Sequence, residues 1–320
     1  MTVRLERQWI VPGRTEAAGA MLAPVRARRS CLSVPGSSSK MLDKAHGLGV
    51  DEVIIDLEDA VAPGAKDEAR AAVAAALREG GWQAGTVTVR VNAAGTAWCE
   101  HDVRELAGVE GSALDCLVVP KVEGAPDLEE VERLAAESEG DGSAERPVAL
   151  QALIETALGL RRLHEIAEAG ERLEALIIGF ADLAASLGQS GGPDYPGDRW
   201  HWVRSSVLVA ARAAGLQAID GPHLQIDDLD GLREEAGRAR ALGFDGKWAL
   251  HPAQVDPLNE IFGATQEEFD HATAVLEALE RGEEEAGSGA VMLDGEMIDE
   301  ASRKLAAQVV ARGEAAGLRS

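Results

Sequence analysis

Apolar runs of strand length recur eight times along the chain, and segments of helical period separate most of them. The clearest helical segments are 66–78, 127–137, 159–169 and 229–242, which are rich in Ala, Leu, Glu and Arg. The strand-like runs are 31–34, 53–57, 87–91, 116–119, 148–154, 175–179, 216–220 and 247–250. This alternation predicts an α/β fold, a (β/α)₈ TIM barrel, with a doubly wound open sheet as the competing architecture.

The sequence outside this alternation predicts two flanking parts. Residues 1–28 lack periodicity and indicate an N-terminal arm, whereas 29–262 form the predicted catalytic barrel domain. Residues 263–320 are expected to form a C-terminal helical extension, made of an acidic helix at 266–285, a Gly-rich hinge at 287–291 and a final helix starting near Met297. A hinge before a terminal helix predicts a flap, or an arm that reaches another subunit.

The segment 188–200, GQSGGPDYPGDRW, contains four Gly and two Pro and interrupts the alternation. A stretch of this composition continues neither a helix nor a strand, so it predicts an inserted loop on one strand-to-helix connection. Loops at such positions often carry binding residues. The segment is therefore a candidate lid or substrate loop.

The charge balance limits the partners that this chain can bind. Asp and Glu total 55 against 31 Lys and Arg, so the net charge of −24 argues against nucleic acid or an anionic membrane. An anionic substrate would need a local basic patch or a metal. Three cysteines without ligand-like spacing, and no apolar stretch near the roughly 20 residues that span a bilayer, predict a cytoplasmic protein.

The run Val53–Asp59, VIIDLED, places three carboxylates within four positions at the end of a buried strand. Like charges at close range resist joint ionisation, so a cation is expected near this strand end. Asp56 and Glu58 alternate along the chain, and we therefore expect both side chains on the same side of the strand.

Other predicted strands also end in polar residues, and in a barrel the carboxyl ends of the strands build the active site. The residues at these ends are Ser37–Ser39, Lys40, Asp56, Glu58, Asp59, Arg90, Asn92, Lys121, Glu123, Glu155, Asp182, Asp220 and His251. Glu155 and Asp182 lie on adjacent connections and can converge on one hard cation. Mg²⁺ commonly takes one or two protein carboxylates, so the pair predicts a magnesium site.

Several of these residues also have purely structural interpretations. A single Glu after a strand is often a helix cap or an ion-pair partner, and this applies to Glu155. Ser37–Ser39 could cap a helix or bind phosphate, and Lys40 could be a surface lysine. His251 could cap the last strand. Arg90 differs, because an arginine facing the barrel interior must be paired or else desolvated at a cost of several kcal/mol.

Nine segments in order carry a resemblance to a known family. They read SCLSVPGSSSKMLDKA, IIDLEDAV, VRVN, PKVE, ALIETALGL, IIGFADLAASLG, IDGP, GFDGKWALHPAQ and GEMIDEASRKLA. In this order they resemble the citrate lyase β-subunit-like branch of the HpcH/HpaI aldolase superfamily, over roughly residues 28–315. The segments that follow Gly192 and Val291 look most like the malyl-CoA and β-methylmalyl-CoA lyases of that branch.

The resemblance implies a reversible C–C lyase that uses Mg²⁺, with Mn²⁺ as an alternative. Such an enzyme cleaves L-malyl-CoA to acetyl-CoA and glyoxylate, and β-methylmalyl-CoA to propionyl-CoA and glyoxylate. The alternatives are a malyl-CoA thioesterase, a citramalyl-CoA or citryl lyase, and an accessory subunit that binds acyl-CoA within a larger complex. Relatives also suggest a homo-oligomer, either a trimer or a hexamer.

The resemblance also assigns roles to individual residues. Glu155 and Asp182 match the family's magnesium ligands, and Arg90 matches the arginine that contacts the substrate oxygen beside the metal. Asp299 matches a general acid/base that the C-terminal helix delivers into a neighbouring subunit's site. The remaining matches are Asp56 and Glu58 for orienting metal-bound water, and Arg29, Ser37, Lys40, Lys121 and His251 for binding coenzyme A or substrate.

Overall fold

The computed structural model describes residues 26–109, 111–140, 147–189, 198–315 and 317–319. Its centre is a closed barrel of eight parallel strands that neighbour one another in chain order. The strands are β1 Ser30–Pro35, β2 Glu52–Asp56, β3 Thr86–Arg90, β4 Cys116–Val119, β5 Ala149–Ile154, β6 Leu173–Ile178, β7 Gln217–Asp220 and β8 Gly246–Ala249. Each overlaps its predicted run, and the closure by pairing of β1 with β8 confirms the TIM barrel over the open sheet.

Three of the four predicted helical segments around the barrel, 66–78, 127–137 and 229–242, are single helices in the structure. The helices around the barrel are α1 Ser39–His46, α2 Lys66–Glu79, α3 Cys99–Ala107, α4 Ala125–Ser138, α5 Ala157–Arg161, α6 Leu163–Ala167, α7 Phe180–Ser186, α8 His201–Ala213, α9 Leu229–Leu242 and α10 Val255–Phe262. The single helix predicted at 159–169 is instead the two short helices α5 and α6. Helix α9 begins and ends as predicted, and the Asp228 carboxylate caps it by accepting from Gly231 N at 2.9 Å.

Alternation along the strands separates two apolar layers. On β2, Val53 and Ile55 pack outward against the helices, in the main core between sheet and helices. Ile54 points inward and joins a smaller core inside the barrel, together with residues such as Val118 and Trp248. The inward set continues to Asp56 at the carboxyl end of β2, because side chains two positions apart share a face.

Buried polar residues close the opposite, amino end of the barrel. The Arg28 guanidinium lies 3.1 Å from the Glu52 carboxylate and 2.5 Å from that of Glu174. Arg26 pairs with Asp115 at 2.9 Å. Arg26 and Arg28 therefore belong to this amino end of the barrel, the barrel floor, although the sequence predicted that they lie in an N-terminal arm. Residues 1–25 of that arm lie outside the described part of the chain.

The C-terminal extension contains two strands that the sequence analysis missed. Helix α11, Gln266–Ala286, is followed by β9 Val291–Leu293, β10 Glu296–Ile298 and helix α12 Glu300–Ala315. The prediction that the last helix starts near Met297 was wrong, because Met297 lies in β10. Asp294 and Gly295 form the turn with φ of 49° and 89°, and a DG pair between two strand-like segments is the usual signal for such a hairpin.

The extension has its own small core and meets the barrel at one end. Phe269, Leu279, Ile298 and Val310 pack together, and α11 packs mainly on α12 and β9. At the base, Glu268 pairs with Arg240 of α9 at 2.8 Å. The 21 residues of α11 rise about 30 Å from that base towards the β9–β10 hairpin. None of the described helices is long and apolar enough to cross a membrane.

Candidate active site

Two of the three acids at the end of β2, Asp56 and Glu58, contact the guanidinium of Arg90, which ends β3. Arg90 Nε and Nη2 donate to the two Asp56 carboxylate oxygens at 2.8 and 2.6 Å. Arg90 Nη1 lies 3.3 Å from Glu58 Oε2, and the guanidinium stands 5.6 Å from the centroid of the Trp248 ring. The predicted cation and the shared orientation of Asp56 and Glu58 are both confirmed. Burial lowers the pKa of Arg90, but together Asp56 and Glu58 raise it by more than burial lowers it, so the pKa lies above its usual value.

Hydrogen bonds fix the turn that follows β2. The Asp56 carboxylate accepts from Glu58 N at 2.8 Å and from Ala60 N at 3.1 Å. The buried Lys66 ammonium donates to the carbonyls of Leu57 and Glu58, both at 2.9 Å. The sequence analysis missed this role of Lys66, because as the first residue of α2 it has no local signal that distinguishes it from a surface lysine.

Lys121 connects this turn to the next part of the site. Its ammonium contacts the carboxylates of Glu58 and Asp59, and its backbone N–H donates to Glu155 Oε1 at 2.9 Å. Lys121 has φ of 52°, a left-handed conformation that is costly for a residue with a side chain. Burial lowers the pKa of Lys121, but Glu58 and its neighbours raise it to about 12, so the ammonium remains charged.

Glu155 and Asp182 form a carboxylate pair beside Lys121. Glu155 follows β5 and is 2% exposed, whereas Asp182 lies in the first turn of α7. Burial and then the charge of Asp182 raise the pKa of Glu155 to about 8. A side chain at Gly179 would place its Cβ 2.5 Å from Glu155 Oε2, so only glycine allows this approach.

This donor set fits a hard divalent cation. Two acids that oppose each other's ionisation are stabilised together by a positive ion. Among the described residues, no group of three or more His, Cys, Asp or Glu side chains could hold a metal. Two carboxylates with room for water or substrate oxygens are the set that Mg²⁺ commonly uses.

The raised pKa of Glu155 predicts that cation binding depends on pH. Below about pH 8 the metal-free carboxyl keeps its proton, which an incoming cation must displace. Apparent affinity for Mn²⁺ should therefore fall about tenfold for each pH unit below 8 and level off above it. Titration followed by electron paramagnetic resonance at several pH values measures this, and equal affinity at about pH 6 and pH 9 would contradict it.

Among the described residues, no hydrogen bond or ion pair links Ser37, Lys40 or His251 to this centre. Ser37 is exposed on the connection from β1 to α1, and Lys40 is exposed in the first turn of α1, which Ser38 caps by accepting from Met41 N. His251 Nδ1 accepts from Ala253 N at 3.2 Å, so His251 caps the 3₁₀ helix Pro252–Gln254 that follows it, and not the last strand as the structural alternative predicted. Residues 190–197 of the predicted lid lie outside the described residues.

Arg29 lies at the wrong end of the barrel for its predicted role. It directly precedes β1, and its guanidinium pairs with Asp51, which precedes β2, at 2.7 and 2.8 Å. Both residues lie at the amino ends of their strands, whereas the carboxylates and Arg90 lie at the carboxyl ends. The prediction that Arg29 contacts coenzyme A beside the site is therefore corrected, and Arg29 is an ion-pair partner of the barrel floor.

Asp299 lies at the far end of the extension. Its Oδ1 accepts from the backbone of Ala301 at 2.9 Å and of Ser302 at 3.3 Å, and so caps α12. Among the described residues, neither a hydrogen bond nor an ion pair links it to the barrel site of its own chain. Met292 and Met297 form a cross-strand pair on the adjacent hairpin, and their side chains are 65% and 71% exposed.

Comparisons with known proteins show which family this chain resembles. Residues 29–252 match the family model described as HpcH/HpaI aldolase/citrate lyase. The chain is 34% identical to L-malyl-CoA/beta-methylmalyl-CoA lyase of Cereibacter sphaeroides, over 91% of this chain and 96% of that protein. It is 37% identical to citrate lyase subunit beta of Escherichia coli, over 92% and 96%.

A solved structure that contains bound ligands is also similar to this chain. It is protein CitE from Mycobacterium tuberculosis in complex with magnesium, acetoacetate and coenzyme A. That chain is 33% identical, with a TM-score of 0.68, and the match covers 89% of this chain and 97% of that one.

Proposed function

The chain belongs to the HpcH/HpaI aldolase/citrate lyase family, and from this premise we propose that it is a Mg²⁺-dependent lyase acting on malyl-CoA. The reaction is reversible cleavage of the C2–C3 bond of the 3-hydroxyacyl thioester into acetyl-CoA and glyoxylate. β-Methylmalyl-CoA would give propionyl-CoA and glyoxylate in the same way. The observation that carries the proposal is the Glu155–Asp182 pair beside Arg90 at the carboxyl end of the barrel.

Glu155 and Asp182 would hold the ion. When bound, Mg²⁺ (or Mn²⁺) supplies Lewis-acid polarisation of the substrate's hydroxyl oxygen and neutralises its carboxylate. Lys121 N–H occupies Glu155 Oε1, and Oε2 accepts no hydrogen bond from the described residues, so Oε2 remains available to the ion. Asp56 and Glu58 would orient water at this centre.

Arg90 would stabilise the negative charge that develops on a substrate oxygen. Its Nε and Nη2 are committed to Asp56, which fixes the plane of the guanidinium. Its Nη1 faces Glu58 at 3.3 Å without a hydrogen bond to any described residue, and is the group best placed to donate to substrate. A donor held in place before the reaction needs no reorganisation as charge develops.

Asp299 would move the proton. In cleavage its carboxylate takes the proton of the C3 hydroxyl, the C2–C3 bond breaks, and the electron pair stays on the thioester enolate. The same proton then passes to C2 and completes acetyl-CoA. In condensation Asp299 removes a proton from C2 of acetyl-CoA, the enolate attacks the glyoxylate carbonyl carbon, and the proton on Asp299 passes to the resulting alkoxide to give the C3 hydroxyl. We also assign Ser37, Lys40, Lys121 and His251 to binding of coenzyme A or substrate.

Delivery of Asp299 requires a second copy of the chain. The extension packs on itself, and its tip stands about 30 Å along α11 from the base at Arg240. The exposed Met292 and Met297 beside Asp299 give that tip an apolar surface suited to another protomer. We therefore propose a homo-oligomer, a trimer or hexamer, in which each tip enters the neighbour's site.

Citryl-CoA cleavage is the second candidate, because identity to citrate lyase subunit beta reaches 37%. Incubating the purified chain with Mg²⁺ and each thioester separates the candidates by product. Malyl-CoA should give acetyl-CoA and glyoxylate in equal amounts, and chelation should stop the reaction. Oxaloacetate from citryl-CoA alone would favour the second candidate, and malate with free coenzyme A would indicate a thioesterase. Binding of acyl-CoA without turnover would favour an accessory subunit.

A further inference from the structure

A buried cluster of charges lies beside α7, outside the residues assigned to chemistry above. Arg204 of α8 pairs with Asp220, at the end of β7, through two hydrogen bonds of 2.8 and 3.2 Å. The ammonium of Lys247, on β8, donates at 2.7 Å to Asp220 Oδ2, the oxygen that also accepts from Arg204 Nη2, and at 2.6 Å to the Gly221 carbonyl. Arg204 is 2% exposed, and Asp220 and Lys247 are fully buried.

The cluster surrounds one aromatic ring, that of Phe180. The guanidinium of Arg204 lies 4.9 Å from the ring centroid and the ammonium of Lys247 lies 5.9 Å from it. Trp200 stacks on the ring with centroids 4.9 Å apart. Arg204 also holds Trp200 indirectly, because its Nη1 donates to Asp198 at 2.7 Å and Asp198 accepts from Trp200 N at 2.9 Å.

Phe180 is the first residue of the helix that carries Asp182. This helix, α7, has seven residues and follows Gly179, which offers no side-chain cap. Helices this short are not stable by themselves, so packing of buried side chains sets their orientation. Phe180 and Leu183 are the buried residues of α7. The position of the Asp182 carboxylate therefore depends on how the Phe180 ring is packed.

We propose that Arg204 is a positioning residue that holds the Phe180 ring in place. By fixing α7 in this way, it sets the affinity of the Glu155–Asp182 pair for a divalent cation. The inference rests on the metal site of the proposed function. Arginine suits this place because its planar group binds a carboxylate through two donors while its face stacks on a ring. A lysine cannot bind the carboxylate through two donors and also stack on the ring. Arg204→Lys therefore preserves the charge but loses the contact that holds the Phe180 ring.

The test compares Mn²⁺ dissociation constants, measured by electron paramagnetic resonance without substrate. Arg204→Lys should weaken binding about tenfold, the lower end of the range for residues behind metal ligands. Arg212→Lys is the matched control on the same helix, because Arg212 is 39% exposed and bonds to Asp245 and the Gly243 carbonyl. It should bind Mn²⁺ as the wild type does.

A second variant shows whether the effect passes through the ring. Phe180→Leu keeps every ion pair and should weaken Mn²⁺ binding by a similar factor, while the double variant should lose no more than either single variant. Folded single variants with wild-type affinity, or losses that multiply in the double variant, would overturn the proposal. If Arg204→Lys does not fold, Phe180→Leu decides alone. If Glu155→Gln binds Mn²⁺ as the wild type does, the proposed metal site itself is wrong.

Discussion

Replacing Glu155 with Gln is expected to lower Mg²⁺-dependent cleavage of malyl-CoA about 10³-fold. The change removes one of two carboxylates that would hold the ion, and Lewis-acid stabilisation is worth several kcal/mol at about 1.4 kcal/mol per factor of ten. Glutamine has nearly the same shape and can still accept from Lys121 N–H, so the fold should persist. Turnover and Mg²⁺ dissociation constants measure the two effects separately.

The same substitution should stabilise the metal-free protein at high pH. Burial and Asp182 raise the pKa of Glu155 to about 8 in the folded protein, so raising the pH from the ordinary range of a glutamate to above 8 costs stability. Glutamine has no such cost. Above pH 8 the metal-free variant should have a higher Tm than the wild type. The increase should be about 2–4 °C for each kcal/mol by which the substitution raises the free energy of unfolding. Below about pH 4 the two should melt alike.

The control for this substitution is Glu123→Gln, which changes an exposed carboxylate on the connection after β4. It should leave turnover, Mg²⁺ binding and the pH dependence of melting unchanged. Wild-type turnover in Glu155→Gln would sink the proposed metal site. Loss of turnover together with a lower melting temperature at every pH would instead indicate a damaged fold.

Mixing two inactive variants should restore activity if Asp299 acts in a neighbouring subunit. Asp299→Asn and Glu155→Gln should each be inactive alone. After co-assembly in equal amounts, about one site in four combines a barrel with Glu155 and a partner tip with Asp299, so about a quarter of wild-type activity should return. Turnover of malyl-CoA by the purified mixed oligomer is the measurement.

Asp294→Asn provides the control, because Asp294 lies in the same hairpin and asparagine tolerates its positive φ. This variant should be active alone. No recovery in a verified mixed oligomer would mean that Asp299 does not act between subunits. Wild-type turnover in Asp299→Asn alone would remove its role in proton transfer altogether.

The sequence by itself determined the barrel and the charge pairing at the end of β2. The eight strands were readable because each encodes its buried faces in consecutive residues, and local periodicity does not depend on distant parts of the chain. The cation near Asp56 and Glu58 was readable for a related reason. Charges crowded at a buried strand end demand compensation, and Arg90 ends the neighbouring strand.

Only the tertiary structure decided which residues meet across the barrel. The sequence predicted that Arg29 contacts coenzyme A, yet in the structure Arg29 pairs with Asp51 at the amino end of the barrel. The charged cluster around the Phe180 ring consists of Arg204, Asp220 and Lys247, which come from three different elements. Such contacts depend on distances between residues far apart in sequence, and a local pattern of apolar and polar positions carries no record of those distances.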